Sequence, residues 1–201
     1  MNPKYFFAFF LMSVTISYGQ TIKIDNGILF NSYRNKLGLE ILRPNTTSYS
    51  TALGIDFLQK ERTYLSSQIG YLQVRGKDSF DMGAGKTDVQ EKANYLHLNT
   101  TFRYLFLKDK VVDAFIGAGP FVNFLLGDKQ LKSSIYKDFY EYNTLYFGGR
   151  PEIGISKQLN RFRIDLTGQY MFNLTPSIKS EGIKLNNNTY SLHITLGYKL
   201  R

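Results

Sequence analysis

An all-β fold, an eight-stranded antiparallel barrel that crosses a membrane on its strands, is predicted by three features of the sequence. Apolar and polar residues alternate with period two over segments longer than an ordinary strand. The connections between those segments alternate between short and long. No segment beyond the first twenty residues is apolar enough to cross as a helix; the best, Ala114 to Gly127, is rich in Gly and broken by Pro120 and Asn123. Composition agrees, since 16 Phe, 15 Tyr and 17 Gly among 201 residues suit strands better than helices. With 43% apolar and 20% charged residues the chain is no disordered polymer, and with no cysteine it is neither disulfide-stapled nor lipid-anchored through one.

Residues 1–19 read as a cleaved signal peptide. Lys4 supplies the positive start, Tyr5 to Ile16 the short apolar run, and Ser17-Tyr18-Gly19 puts small residues at the two positions a signal peptidase inspects, for cleavage before Gln20. Removing Lys4 takes the formal charge from +9 to +8, leaving residues 20–201 as the barrel domain. An exported basic chain without a basic helix or stripe is not expected to bind nucleic acid.

The first strand spans about 22–33 and is interrupted by Asn26-Gly27. The second spans 49–59. The third, 64–74, is the least regular, because Ser66, Ser67 and Gln68 blur its faces. The same template gives strands at 93–106, 111–126 and 142–156. The seventh, 162–174, places Phe162, Ile164, Leu166, Gly168, Tyr170, Phe172 and Leu174 on one face against Arg163, Asp165, Thr167, Gln169, Met171 and Asn173. The eighth is the clearest: Tyr190, Leu192, Ile194, Leu196, Tyr198 and Leu200 alternate with Ser191, His193, Thr195, Gly197 and Lys199.

Lys60 to Arg62, Leu107 to Lys110 and Lys157 to Arg161 are tight turns, whereas Asn35 to Ser48, Arg75 to Lys92, Gly127 to Glu141 and Thr175 to Asn186 are long and polar. Short links at one end and long ones at the other is the plan of an outer-membrane barrel in a Gram-negative envelope. About eleven residues per strand at ~3.3 Å each, tilted by ~40°, span the ~25 Å such a membrane needs.

Alternation alone leaves a lipocalin-type soluble carrier open, with the apolar face inward. Charge favours the opposite orientation. The polar parity holds Lys23, Arg103, Arg150 and Arg163 against Asp25, Asp56, Asp113, Glu152 and Asp165, the near-neutral set a closed lumen demands. The expected structural ionic network is Arg103, Arg150 and Arg163 with Asp56, Asp113, Glu152 and Asp165. Both rims are basic, facing the expected partners, outer-membrane lipids.

Tyr95-Leu96-His97-Leu98, Phe102-Arg103-Tyr104-Leu105-Phe106, the tight turn after it, and Phe115-Ile116-Gly117-Ala118-Gly119-Pro120-Phe121-Val122 resemble the PorT-like outer-membrane β-barrel family of Bacteroidetes, differing from it at His97 and Asn99. The resemblance covers about thirty residues by motif and nearly the whole mature chain by topology. It implies an eight-stranded outer-membrane barrel, with envelope or secretion-machinery proteins as candidate partners.

Chemistry-bearing motifs are sparse. Gly83-Ala84-Gly85-Lys86-Thr87 looks like the tail of a phosphate loop, but Phe80 stands where its leading glycine belongs. Gly117 and Gly119 lack the third glycine of a dinucleotide fingerprint, since Val122 takes its place. His97 and His193, the only histidines, fall on the polar parity of strands four and eight, across the barrel from each other, and are expected to be hydrogen-bonded lumen residues rather than metal ligands. Tyr136, Phe139, Tyr140 and Tyr142 form a candidate surface contact. No catalytic, cofactor or metal site is expected. The reading is a structural or interaction protein acting through its long loops, the alternatives being an outer-membrane lipid-modifying enzyme or the soluble carrier.

Overall fold

The computed structural model describes residues 20–35, 40–41, 46–81, 86–109, 111–127, 130–132, 141–180 and 183–200, and the expected signal peptide lies outside them. Every regular element among them is a strand. Eight long strands form the wall: β1 (Thr21–Asn35), β2 (Thr47–Phe57), β3 (Thr63–Asp81), β4 (Lys86–Leu107), β5 (Asp113–Leu125), β6 (Leu145–Leu159), β7 (Phe162–Asn173) and β8 (Ile183–Lys199). Each pairs antiparallel with its sequence neighbours, and β1 closes the barrel on β8 from Thr21↔Lys199 to Asn35↔Leu185. Closure removes both sheet edges, so no row of backbone N–H and C=O groups is left for the surroundings to satisfy.

The two faces of the wall are sorted as the charge argument requires. Ile22, Ile24, Ile28 and Phe30 on β1, Ile153 and Ile155 on β6, and Leu192, Ile194 and Leu196 on β8 all point outward and are exposed. Lys23, Asp25, Arg103, Arg150, Glu152, Arg163 and Asp165 point inward and are buried. This is the reverse of a soluble carrier barrel, whose apolar face is the inner one. Aromatic side chains bound the outward belt at both levels. Phe30, Tyr49, Phe124, Phe147, Phe172 and Tyr190 lie toward the long loops; Tyr104, Phe106, Phe162 and Tyr198 lie toward the turns.

The long-loop end departs from expectation. Arg75 to Lys92 was expected to be a loop, yet the β3–β4 ladder runs unbroken from Thr63↔Tyr104 to Asp81↔Lys86. β8 likewise begins at Ile183, inside the expected loop 175–186, and pairs with the short strand Ile178–Ser180, which in turn pairs with Glu141–Tyr142. Above the outward apolar belt the contrast between an apolar outer face and a charged inner face is lost, so the period-two signal fades while backbone pairing continues. Two irregularities of the sequence have local causes. Gly27 leaves room for the His193 ring, which would lie 2.4 Å from a Cβ there. Ser66 and Gln68 face the lumen, and Ser67 faces outward.

Candidate functional site

The lower half of the lumen, nearer the turns, is an ionic network built from five strands. On β1 and β2, Lys23 Nζ lies 3.0 Å from Asp56 Oδ1 and donates to Ser66 Oγ on β3. Arg163 on β7 pairs with Asp56 and, through Nε at 2.9 Å, with Asp165 two residues along the same face. Arg103 on β4 pairs with Glu152 on β6 and reaches Asp165 at 3.6 Å. The other Glu152 oxygen accepts from Arg150 Nη2 at 3.2 Å. The Arg103 guanidinium also lies 4.5 Å from the centroid of Phe115, and that of Arg163 lies 5.6 Å from Tyr64, so ring faces cover the sides that carboxylates leave free.

Neutral groups join this network to a second layer. Gln68 is the hub: its carbonyl oxygen accepts from Arg150 Nη1 and Nη2 at 3.3 and 3.2 Å and from Asn99 at 3.1 Å, while its amide donates to Asp25 at 3.0 Å. Arg150 also donates to Thr101 Oγ1 at 3.1 Å. Asp25 further receives the Thr195 hydroxyl at 3.0 Å and the His193 Nδ1 side at 3.1 Å. His97 Nδ1 lies 2.6 Å from Asn123 Oδ1. Asp25, Gln68, His97, Arg150, Gln169 and His193 line one small enclosed cavity.

Above that cavity the lumen becomes mostly apolar, with Asn31 donating to Ser48 at 2.6 Å and accepting from Thr189 at 2.8 Å as its polar exception. Leu29, Tyr33, Leu72, Val74, Ala93, Tyr95, Phe121, Tyr142, Tyr146, Met171, Ile178 and Leu185 form a single buried cluster. Tyr146 packs edge-on against Tyr95 at 5.1 Å and Phe121 at 6.3 Å. The interior therefore has an ionic floor, a hydrogen-bonded middle and a mostly apolar cork, and among the described residues side chains occupy it around that small cavity.

Six of the seven expected network residues meet in this lumen: Arg103, Arg150, Arg163, Asp56, Glu152 and Asp165. Asp113 does not join them. It is half-buried where β5 leaves the turn, opposite Ser156, and makes no ion pair with the network among the described residues. Lys23 and Asp25 take part instead; both had shown as polar-parity charges in the sequence. The lumen then holds Lys23, Arg103, Arg150 and Arg163 against Asp25, Asp56, Glu152 and Asp165, an equal count of either sign, which suits a place where an uncompensated ion costs several kcal/mol. Gln68, Ser66 and Thr101 were missed, because counting charge does not find neutral hubs.

Of the expected aromatic contact only Tyr142 falls among the described residues. Tyr136, Phe139 and Tyr140 lie outside the described residues, and Tyr142 is buried, 7% exposed, in the apolar cork. The pairing of Glu141–Tyr142 with Ile178–Lys179 brings it there. The histidines are lumen residues, His193 partnered by Asp25 and His97 by Asn123. No group of three metal-ligating residues occurs among the described residues. Of the phosphate-loop look-alike, 83–85 lie outside the described residues, while Lys86 and Thr87 begin a strand and not a helix.

No family model matches the chain, and neither does any curated protein. Among solved structures, the outer membrane protein OprG from Pseudomonas aeruginosa superposes with a TM-score of 0.59 at 13% identity, covering 92% of this chain and 97% of that one. The outer membrane protein AlkL, determined in lipid bilayers, superposes with a TM-score of 0.52 at 12% identity, covering 91% and 90%. Likeness at that identity establishes architecture: the chain has the closed eight-stranded antiparallel barrel fold found in outer-membrane proteins.

Proposed function

We propose that the protein is an integral barrel of a Gram-negative outer membrane, with a lumen that is structural and a function exercised through lipid contacts and through envelope proteins met at its long-loop end. One observation carries this: a continuous apolar belt faces outward between two aromatic bands while the charges are paired inside. In water that belt would be a contiguous apolar patch far larger than soluble monomers expose. On β7 the distance from Phe162 to Phe172 is ten residues, roughly 26 Å at the tilt of such barrels, which is the height of an outer-membrane hydrocarbon band.

The filled lumen supports a non-conducting role, because a solute would have to displace both the ion-paired floor and the apolar cork. It also supports a non-enzymatic one, since the buried charges are committed to each other beneath the cork. The PorT-like kinship is the finer assignment, resting on the segments 95–98, 102–106 and 115–122, and the cleaved signal at 1–19 is the proposed export route. Spin labels at Leu192 and Ile194 test the orientation. Both should be relaxed strongly by oxygen and weakly by a water-soluble nickel chelate; the opposite pattern would remove the membrane assignment. In planar bilayers the purified barrel should show no steady porin-sized conductance, and a stable open channel would refute the plugged lumen.

A further inference from the structure

The turn end of the barrel carries a charge pattern that neither the lumen nor the belt requires. Lys60, Arg62, Lys108, Lys157, Arg161 and Lys199 are all exposed there, against exposed Glu61 and Asp109. With Lys110, Arg201 and Asp113 the sequence places eight cations and three anions at this end, whereas the long-loop segments mix eleven cations with nine anions. The cations are not gathered on one flat face. They come from all three turns and the end of β8, and so ring the rim.

Hydrocarbon is interleaved with them at the same level. Leu58, Leu107, Val111 and Leu159 are exposed within or beside the same turns. The aromatic band lies directly above, with Phe162 and Tyr198 in edge contact at 5.3 Å, and Arg161 Nη1 donates to the Tyr198 hydroxyl at 3.4 Å. Exposed cations and exposed apolar side chains are thus interleaved along the turns, the arrangement in which Lys and Arg lay their stems along hydrocarbon and hold their heads at a lipid interface.

Three classes of neighbour fit differently. A soluble anionic polymer would match the charge but leave Leu58 and Val111 in water. A zwitterionic phospholipid would cover the leucines but not answer the surplus of positive charge. A phospholipid with a net negative headgroup satisfies both demands. We propose that the turn-end rim is a collar that selects anionic phospholipid headgroups from the leaflet it faces. This rests on the membrane reading above.

The test is electron spin resonance of spin-labelled phosphatidylglycerol and phosphatidylcholine around the full mature barrel reconstituted in phosphatidylcholine vesicles. The motionally restricted fraction should favour phosphatidylglycerol by roughly fivefold, the factor that one well-placed cation near an anionic surface supplies. That preference should collapse at about 0.5 M salt, where the screening length is only about 4 Å. It should also collapse in the combined variant Lys60→Gln, Arg62→Gln, Lys157→Gln, Arg161→Gln, while Lys77→Gln with Lys184→Gln at the other end should keep it. Equal uptake of the two lipids by the unmodified barrel, or a preference that survives the turn-end variant, would overturn the collar. Equal uptake together with salt-sensitive retention on purified peptidoglycan would give the rim to a soluble polymer instead. No restricted component with either lipid would refute the membrane reading itself, an outcome distinct from failure of the collar.

Discussion

The two halves of the lumen fill the same kind of space by opposite means. Near the turns, Arg103, Arg150, Arg163 and Lys23 share the carboxylates of Glu152, Asp56 and Asp165 and are held by Gln68, Ser66 and Thr101. Near the long loops, Leu29, Leu72, Phe121 and Met171 pack with Tyr95 and Tyr146 and carry no formal charge. The floor depends on every partner being present, because removing one strands the rest. The cork depends on shape, and a lost methylene is felt only where it leaves a void.

That contrast predicts its largest effect at Glu152, the carboxylate shared by two arginines. Glu152→Gln keeps the shape but leaves Arg103 and Arg150 short of a counter-charge, at a cost of about 3–5 kcal/mol. The midpoint of urea unfolding in detergent micelles should fall accordingly. A shift under about 1 kcal/mol would mean that the floor tolerates an unpaired ion, which would erase the distinction between the halves.

The cork gives the second test. Leu29 is fully buried, and Leu29→Ala should cost about 3 kcal/mol, with the volume left behind setting the value. Leu29→Met should restore most of it, since a volume-conserving apolar exchange is tolerated in a packed core. An analogous conservative exchange on the floor, Glu152→Asp, should restore little, because the shorter carboxylate cannot reach both arginines. Equal rescue at the two sites would say that both halves are held by packing alone.

The same contrast explains what the sequence disclosed. In the lower half the inward residues are polar and the outward ones apolar, so parity is legible: all seven expected network residues fall on one face of the pattern, and six of them meet in the lumen. In the upper half Leu29 sits between Ile28 and Phe30, and Phe121 between Pro120 and Val122. At such positions the outward face and the cork are both apolar, alternation vanishes, and nothing in the pattern marks the inner layer. Tyr142 was misread for a related reason, since a Tyr among charges looks superficial until the short strand carrying it is seen to pair with Ile178. Asp113 had the right parity but lies at the strand's mouth, where the turn end offers water in place of a counter-charge.

Gly27 stands at the border of the two layers and offers a smaller test. A methyl there would sit 2.4 Å from the His193 ring and push it off Asp25, so Gly27→Ala should cost about 1–3 kcal/mol by overpacking. Adding His193→Ser should recover part of that loss, because the methyl then has room. Failure of the second change to help would place the strain in the β1 backbone.

The smallest expected effect lies on neither side of the lumen but on the wall. Ser67 and Thr100 are paired through their hydroxyls at 2.8 Å on the outward face, in a shallow recess that Leu53, Ile69, Leu98 and Pro120 help to line. Beside it the β4–β5 register passes from Asn99↔Phe121 to Phe102↔Ala118 without pairing Thr100 or Thr101. Hydrogen bonds between side chains in a membrane contribute about 0.6 kcal/mol on average, because the unfolded chain also finds partners. Ser67→Ala should therefore lower stability by about that amount, and the double-mutant cycle with Thr100→Val should return the same coupling. A coupling several times larger would mean that this hydroxyl pair holds the β3–β4–β5 wall together where the ladder lapses, and the wall would then join the floor as a region held by specific polar partners.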